Sequence, residues 1–335
     1  MDHNSIIKDL ANKIYKPIYL LSGEEPYNID IITDYIIENI LTESEKGFNQ
    51  SIIYATEETK DSTIVEMALR FPMMANHQVI IVKEAQNLKK LESLEKYSKN
   101  PLKSTILVLN YKYKKIDKRT KFYKNVKDNG VVFESNKLRD YEITKWIDEY
   151  LKNKNVRISP KASSLLAEYL GADLSKLVNE IEKLIITLPK DVFTINPEHI
   201  EKNIGISKDF NSFELQNAIG IKNTFKANRI IDYFIKNPKN NPAIVTLAVL
   251  YLYFVKLILF HQIENKSDNR IVASIIKTNP YFVKDFKIAT RNYSPSKLIQ
   301  IMSLLRDYNM KLVGVGNSST EGGELLKELV FKIMH

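Results

Sequence analysis

The stretch that decides the fold is Pro17-Ile18-Tyr19-Leu20-Leu21-Ser22-Gly23-Glu24-Glu25-Pro26-Tyr27-Asn28-Ile29-Asp30, near the start of a chain of 335 residues. Its first five residues predict a short buried strand, and an apolar helical run follows the turn as far as Leu41. This order of strand, turn and helix is the setting of the phosphate-binding loop G-x-x-x-x-G-K-[ST]. The stretch therefore predicts the fold of a nucleotide-binding domain.

The residues that would bind the phosphates are missing from this loop. Counted from Gly23, the second glycine of the pattern is replaced by Asn28, the lysine by Ile29 and the hydroxyl residue by Asp30. The two glutamates after Gly23 would face the triphosphate and repel it, and we expect no lysine to replace the lost positive charge. The sequence therefore predicts a degenerate loop that does not bind ATP.

Further strands and helices alternate over the first 140 residues, which favours a parallel α/β sheet. The strand expected at 78–82 is followed by Lys83, where an ATPase would have a magnesium-binding acid, and Glu84 is expected to start a helix. Asn110 is expected to follow the fourth strand, in the place of a nucleotide-sensing polar residue, and a cap of the strand end is the favoured interpretation. The other predicted strands span 51–54, 105–109 and 131–133, with helices at 63–69 and 92–98 and a basic helix before the last strand.

Strand signals stop around residues 138–141, and the rest of the chain predicts helices. Ser159-Pro160 and Ser294-Pro295 are strong helix starts, because serine caps the first turn and proline suits the first helical position. We expect an α/β domain over 1–140, a small helical domain over 141–209 and a larger all-α domain over 210–335. Residues 243–260 are apolar enough to span a membrane, but Lys256 lies inside them, so a helix buried all round in a bundle is expected.

Composition excludes some kinds of site. The chain has no cysteine, so disulfides and thiolate metal sites are impossible. Its five histidines are scattered, and no metal site is expected. The first residues lack the pattern of a signal peptide, which favours a cytoplasmic protein.

Most of the net charge of +9 comes from residues 111–127, which hold eight basic residues and one acid. Tyrosine and phenylalanine interleave with the lysines, a mixture that suits phosphate contact and base stacking. The alternative is a solvated helix face in a lysine-rich protein. The candidate DNA-binding residues are Lys112, Lys114, Lys115, Lys118, Arg119 and Lys121.

Three segments, 19–27, 71–78 and 171–184, resemble the delta subunits of bacterial DNA polymerase III, and the similarity extends over essentially the whole chain. The resemblance implies an AAA+-like α/β domain with a degenerate phosphate loop, a helical lid and a C-terminal helical collar. It implies a clamp-loader subunit that binds and opens the beta sliding clamp without hydrolysing ATP. Its partners would be the clamp, the gamma/tau and delta prime subunits and primed DNA, with no cofactor and no membrane.

The resemblance also implies a clamp-binding site at Phe71, Pro72, Met73 and Met74, at a helix end. Family members use an exposed aliphatic–aromatic pair here, so Met74 stands in the aromatic position. Without the resemblance, packing of the two methionines in a core would be favoured, because methionine commonly fills core gaps. Two other functions remain open: an AAA+ ATPase with an atypical site, and a nucleic-acid-binding module that uses residues 111–127. No catalytic residue is predicted, although the chain would be part of a DNA-directed DNA polymerase, a nucleotidyltransferase.

Overall fold

The computed structural model describes residues 3–189, 193–205, 207, 209–317 and 319–335. The chain divides into two compact units. The first runs to Leu138 and includes Ala172–Ser175, and the second comprises Arg139–Gly171 and Lys176–His335. The three-domain division with boundaries at 140 and 209 stays a prediction.

The first unit is built on one parallel sheet, which confirms the predicted parallel α/β fold. Its strands lie in the order β2-β3-β4-β1-β5, so that β1 pairs with both β4 and β5. The strands are β1 (Ile18–Gly23), β2 (Gln50–Tyr54), β3 (Gln78–Lys83), β4 (Thr105–Lys112) and β5 (Val131–Ser135).

Helices cover both faces of this sheet. Ile18 and Leu20 lie in one apolar core, and Tyr19 and Leu21 lie in the core on the opposite face, because successive side chains of a strand point to opposite sides. The helices are α1 (His3–Ala11), α2 (Tyr27–Asn39), α3 (Glu43–Asn49), α4 (Asp61–Ala68), α5 (Glu92–Lys99) and α6 (Lys121–Asn129).

After Leu138 the chain forms helices and one pair of short strands. The prediction that strands stop there is wrong, since β6 and β7 pair in parallel as a two-stranded sheet. The elements up to residue 204 are α7 (Asp140–Asn153), β6 (Arg157–Ile158), α8 (Pro160–Leu170), α9 (Leu174–Thr187), β7 (Thr194–Ile195) and α10 (Pro197–Ile204).

The remaining residues form only helices where the structure describes them, as predicted. The Ser159 side chain caps α8 by accepting a hydrogen bond from the Ala162 N–H at 3.4 Å. The Ser294 side chain caps the helix that begins at Pro295 by accepting from the Lys297 N–H at 3.3 Å. The helices are α11 (Ser212–Gly220), α12 (Thr224–Lys236), α13 (Ala243–Gln262), α14 (Asn269–Ile276), α15 (Val283–Asn292), α16 (Pro295–Leu312) and α17 (Gly322–Met334), with a 3₁₀ turn at Pro280–Phe282.

The apolar helix α13 is buried on one face only, which corrects the expectation of burial all round. Leu250 and Phe254 lie in the core of the second unit, whereas Val245 and Leu252 are more than half exposed. Length and composition alone would allow this helix to cross a membrane, and 39% of its apolar window is buried in the fold.

One buried carboxylate joins three helices of the second unit. Glu214, on α11, is only 6% exposed. Its oxygens pair with Lys161 Nζ of α8, at 2.6 Å, and with Lys226 Nζ of α12. Burial raises the pKa of Glu214, but the hydrogen bonds from the two ammonium groups outweigh it, so that the pKa lies below its ordinary value.

Candidate functional site

The loop between α4 and β3, residues 69–77, exposes large apolar side chains. Phe71 is 76% exposed, Met73 62% and Met74 101%, and Pro72 is partly buried between them. Such exposure excludes the alternative that the methionines fill the core of this unit. The expectation of a helix end is wrong in detail, because α4 ends at Ala68 and the methionines lie in the loop.

The side chain of Asn49 fixes the middle of this loop. Its Oδ1 accepts from the Met73 N–H at 2.7 Å, and its Nδ2 donates to the Met73 carbonyl at 2.9 Å. The same Nδ2 donates to the Glu45 carbonyl of α3 at 3.1 Å. Asn49 is the last residue of α3 and only 4% exposed, so its orientation is set by packing. Met74 then adopts a left-handed backbone conformation with φ of 53°.

The side chains of Thr105 and Gln78 hold the start of the loop by hydrogen bonds. Thr105 Oγ1 donates to the Ala68 carbonyl at 2.8 Å, at the end of α4. Gln78 Nε2 donates to Thr105 Oγ1 at 2.7 Å and also bonds to the Arg70 carbonyl. Because Gln78 and Thr105 are the first residues of β3 and β4, the loop is tied at both ends to the sheet. It is therefore an exposed apolar surface on a rigid base.

The degenerate phosphate loop lies at the other ends of the strands, and Ser135, the last residue of β5, lies directly against it. Gly23 has φ of 138°, and a Cβ there would lie 2.0 Å from the Ser135 carbonyl oxygen. The Glu25 N–H donates to the same carbonyl at 3.2 Å. Gly23 thus permits a close approach to β5 that any larger residue would prevent.

Charges in this loop are neutralised by basic residues from β4 and the segment after it. Lys112 Nζ lies 2.6 Å from Asp30 Oδ1, and the expectation that no lysine replaces the lost positive charge stays a prediction. The lysine does not restore a phosphate site, because Asp30, at the former hydroxyl position, takes up its charge. Asn110 lies within β4 rather than after it, and its Oδ1 accepts from Thr33 Oγ1 at 3.0 Å.

The two glutamates of the loop differ in environment. Glu25 is 3% exposed, and burial raises the pKa of its carboxyl, while hydrogen bonds from the backbone N–H groups of Tyr27 and Leu174 oppose that shift. Glu24 is half exposed and lies 3.7 Å from Lys115 Nζ. Both carboxylates therefore interact within the first unit, and Glu25 does not face an open phosphate site as expected.

Lys83 ends β3, at the position where an ATPase would have a magnesium-binding acid. Lys83 lies over the ring of Tyr54, with its Nζ 5.7 Å from the centroid. Glu84 follows in a left-handed conformation with φ of 57° and precedes a 3₁₀ turn, as a helix-start residue would. Among the described residues, no group of three or more acids and histidines could hold a metal ion.

Four of the six candidate DNA-binding residues in the basic segment form ion pairs within the chain. The basic helix expected before the last strand is present as α6, which begins only at Lys121, so the first part of the segment is not helical. Lys118 pairs with Glu134 at 2.6 Å and Arg119 with Asp117 at 2.8 Å, in addition to the pairs of Lys112 and Lys115. Lys114 and Lys121 form no ion pair with any part of the chain that the structure describes.

Comparisons with known proteins agree on one family. The family described as "DNA polymerase III, delta subunit" matches residues 19–136. DNA polymerase III subunit delta of Bacillus subtilis is 28% identical over 91% of this chain and 90% of its own length. The probable DNA polymerase III subunit delta of Aquifex aeolicus is 25% identical over 86% of this chain and 84% of its own.

A solved structure shows the same fold. The Bacillus subtilis DNA clamp loader delta protein superimposes with a TM-score of 0.54, at 23% identity, and the match covers 99% of both chains. The fold of this chain is therefore already known in a solved protein.

Proposed function

The chain belongs to the family of DNA polymerase III delta subunits, and on that premise we propose that it binds the beta sliding clamp through the loop at residues 69–77. In this role it is a subunit of the clamp loader that holds the ring open for loading onto primed DNA. It does so without binding or hydrolysing ATP itself.

The observation that carries this proposal is the exposure of Phe71, Met73 and Met74 on a loop with a fixed backbone. Large apolar side chains that lie together on a surface mark sites of interaction. Unbranched thioethers adapt to an apolar pocket at little steric cost. A few such central residues can supply most of the binding energy of an interface.

The ion pair between Asp30 and Lys112 supports the proposal that this chain binds no nucleotide. Asp30 and Lys112 neutralise each other where the magnesium hydroxyl and phosphate charges would meet. A triphosphate would have to break this pair and approach the nearby glutamates. ATP binding therefore falls to neighbouring subunits of the loader.

In this proposal, the chain opens the ring because it binds the open form of the clamp more tightly than the closed form. A protein shifts a closed ring towards the open form only by as much as it binds the open form more tightly. The gamma/tau and delta prime subunits would hold the chain through the C-terminal helical collar, and primed DNA would pass within the assembly. A cytoplasmic location fits this role.

The experiment is a titration of the full chain with two forms of the clamp, without nucleotide. One form is the intact ring, and the other carries substitutions that weaken its subunit interface. We expect measurable binding to both and tighter binding to the weakened ring. No binding to either form would refute the clamp-binding function, and equal affinity would refute the ring-opening mechanism.

A further inference from the structure

We infer that Asn49 is a positioning residue of the clamp-binding loop, and that it holds Met73 and Met74 in the conformation in which they enter the clamp. This inference rests on the proposed function. Asn49 does not itself have to touch the clamp. It acts through the backbone of Met73, to which its amide donates and from which it accepts.

The position of Asn49 suits this role. It lies at the end of α3, directly before β2, and β2 pairs with β3, the strand into which the loop leads. Its side chain is nearly inaccessible, yet two of its three hydrogen bonds go to an exposed loop. A buried amide that pairs with both backbone groups of one residue fixes that residue in position and in orientation.

Among the described residues, the other contacts given for the loop lie towards its two ends, and the ring of His77 meets that of Tyr15 after the methionines, with 5.2 Å between the centroids. Gln78 and Thr105 bond to the carbonyls of Arg70 and Ala68, which lie before the methionines. Met74 extends fully into solvent and has a left-handed backbone that is unfavourable for a side chain other than glycine or asparagine. The two bonds from Asn49 to Met73 are the described contacts that hold the chain at this strained point.

Loss of the two hydrogen bonds from Asn49 would lower the affinity for the clamp, because fewer molecules of the unbound chain would have the loop in its binding conformation. The apparent dissociation constant rises as the fraction of molecules in the binding conformation falls. If the released loop spends about one tenth of its time in the present conformation, clamp binding weakens about tenfold. The methionines themselves remain unchanged in such a variant.

The test uses the full chain with Asn49→Ala and Asn49→Asp. Aspartate keeps the size and the acceptor but cannot donate to the Met73 carbonyl, so both variants should bind the clamp about tenfold more weakly. The matched control is Asn125→Ala, since Asn125 also donates from Nδ2 to two groups of a neighbouring helix, Glu95 O and Ser98 Oγ. The control should bind like the unaltered chain.

A double-mutant cycle separates positioning from a general loss of structure. In a background of Met73→Ala and Met74→Ala, with the clamp in large excess, Asn49→Ala should cause no further loss, because the groups it positions are gone. Native-state trypsin should also cleave after Arg70 several times faster in Asn49→Ala. An equal loss of affinity in both backgrounds, or unchanged affinity in both Asn49 variants, would overturn the inference. Failure of the unaltered chain to bind the clamp would instead overturn the proposed function.

Discussion

Replacing Met73 and Met74 together by alanine should abolish most of the affinity for the clamp and leave the fold intact. Both side chains lie outside the core, and alanine can keep the backbone conformation, including the left-handed Met74. The Asn49 bonds go to the backbone of Met73 and would remain. The variant therefore removes apolar contact without removing the support of the loop.

The magnitude follows from the exposed fractions. Met73 is 62% exposed and Met74 101%, so binding can bury that share of each side chain. Burying a whole methionine side chain contributes roughly 1.5–3 kcal/mol, which gives about 2.5–5 kcal/mol for the exposed parts of the pair. At roughly 1.4 kcal/mol per factor of ten, the double variant should bind about 60- to 4,000-fold more weakly.

The assay measures clamp affinity and thermal unfolding on the same preparations. Surface substitutions change stability by roughly 0.5 kcal/mol or less, so the melting temperature should barely move. Met310→Ala with Val313→Ala is the matched control, because these side chains are 44% and 61% exposed in the second unit. A large fall in melting temperature with unchanged affinity would show that the methionines support the fold and do not bind the clamp.

Three further results are expected. Calorimetry with magnesium-ATP should show no saturable binding at millimolar nucleotide, and a micromolar dissociation constant would contradict the closed phosphate loop. If the basic segment contacts DNA in the assembled loader, replacing Lys114, Lys121 and Lys124 by glutamine should reduce the salt slope by about 0.9 per phosphate contact, whereas the ion-paired Lys118 should matter less. An unchanged slope would show that these lysines belong to a solvated surface and do not contact DNA. Because the pKa of Glu214 is lower in the folded than in the unfolded chain, its stabilisation is present above the ordinary value of 4.5 and lost as the pH falls. Acid unfolding should therefore be less steep in Glu214→Gln, and identical pH profiles would contradict the pairing.

The sheet could be predicted from the sequence because its central strands are continuously apolar, as buried parallel strands must be. The end of β4 could not be predicted from composition. Asn110, Tyr111 and Lys112 are a poor strand pattern, but they continue β4 because Leu21, Ser22 and Gly23 of β1 pair with them in register. Tertiary pairing overrides local propensity there.

Helix α3 was also missed, for a different reason. Its sequence Glu-Ser-Glu-Lys-Gly-Phe-Asn has no apolar periodicity, and Gly47 weakens a helix. It forms because Thr42 and Glu45 cap its first turn, with the Thr42 N–H donating to Glu45 at 2.8 Å. Because the sequence does not predict α3, no pattern places Asn49 beside a loop 24 residues later.

The candidate site was only partly accessible to sequence reasoning. Only the family resemblance indicates the methionines as a binding site, since their chemistry alone favours a core position. Exposure of the loop depends on where α4 ends and on the polar contacts of Gln78 and Thr105, which a single sequence does not show. Three ion pairs of the basic segment, those of Lys112, Lys115 and Lys118, join residues far apart in the chain, and a single sequence does not show them.

The positions of the two loops in the sheet bear on how the loader could control this chain. The 69–77 loop leads into the start of β3, whereas the degenerate phosphate loop follows the end of β1, and all five strands run in parallel. A strand of six residues separates these two edges by about 20 Å. A clamp bound at Met73 and Met74 therefore need not approach Asp30 or Lys112, and the proposed function assigns no ATP to the ion pair there. If the proposed function holds, nucleotide must regulate clamp binding by the way neighbouring subunits cover or release the exposed loop, since the loop itself is already formed and held by Asn49.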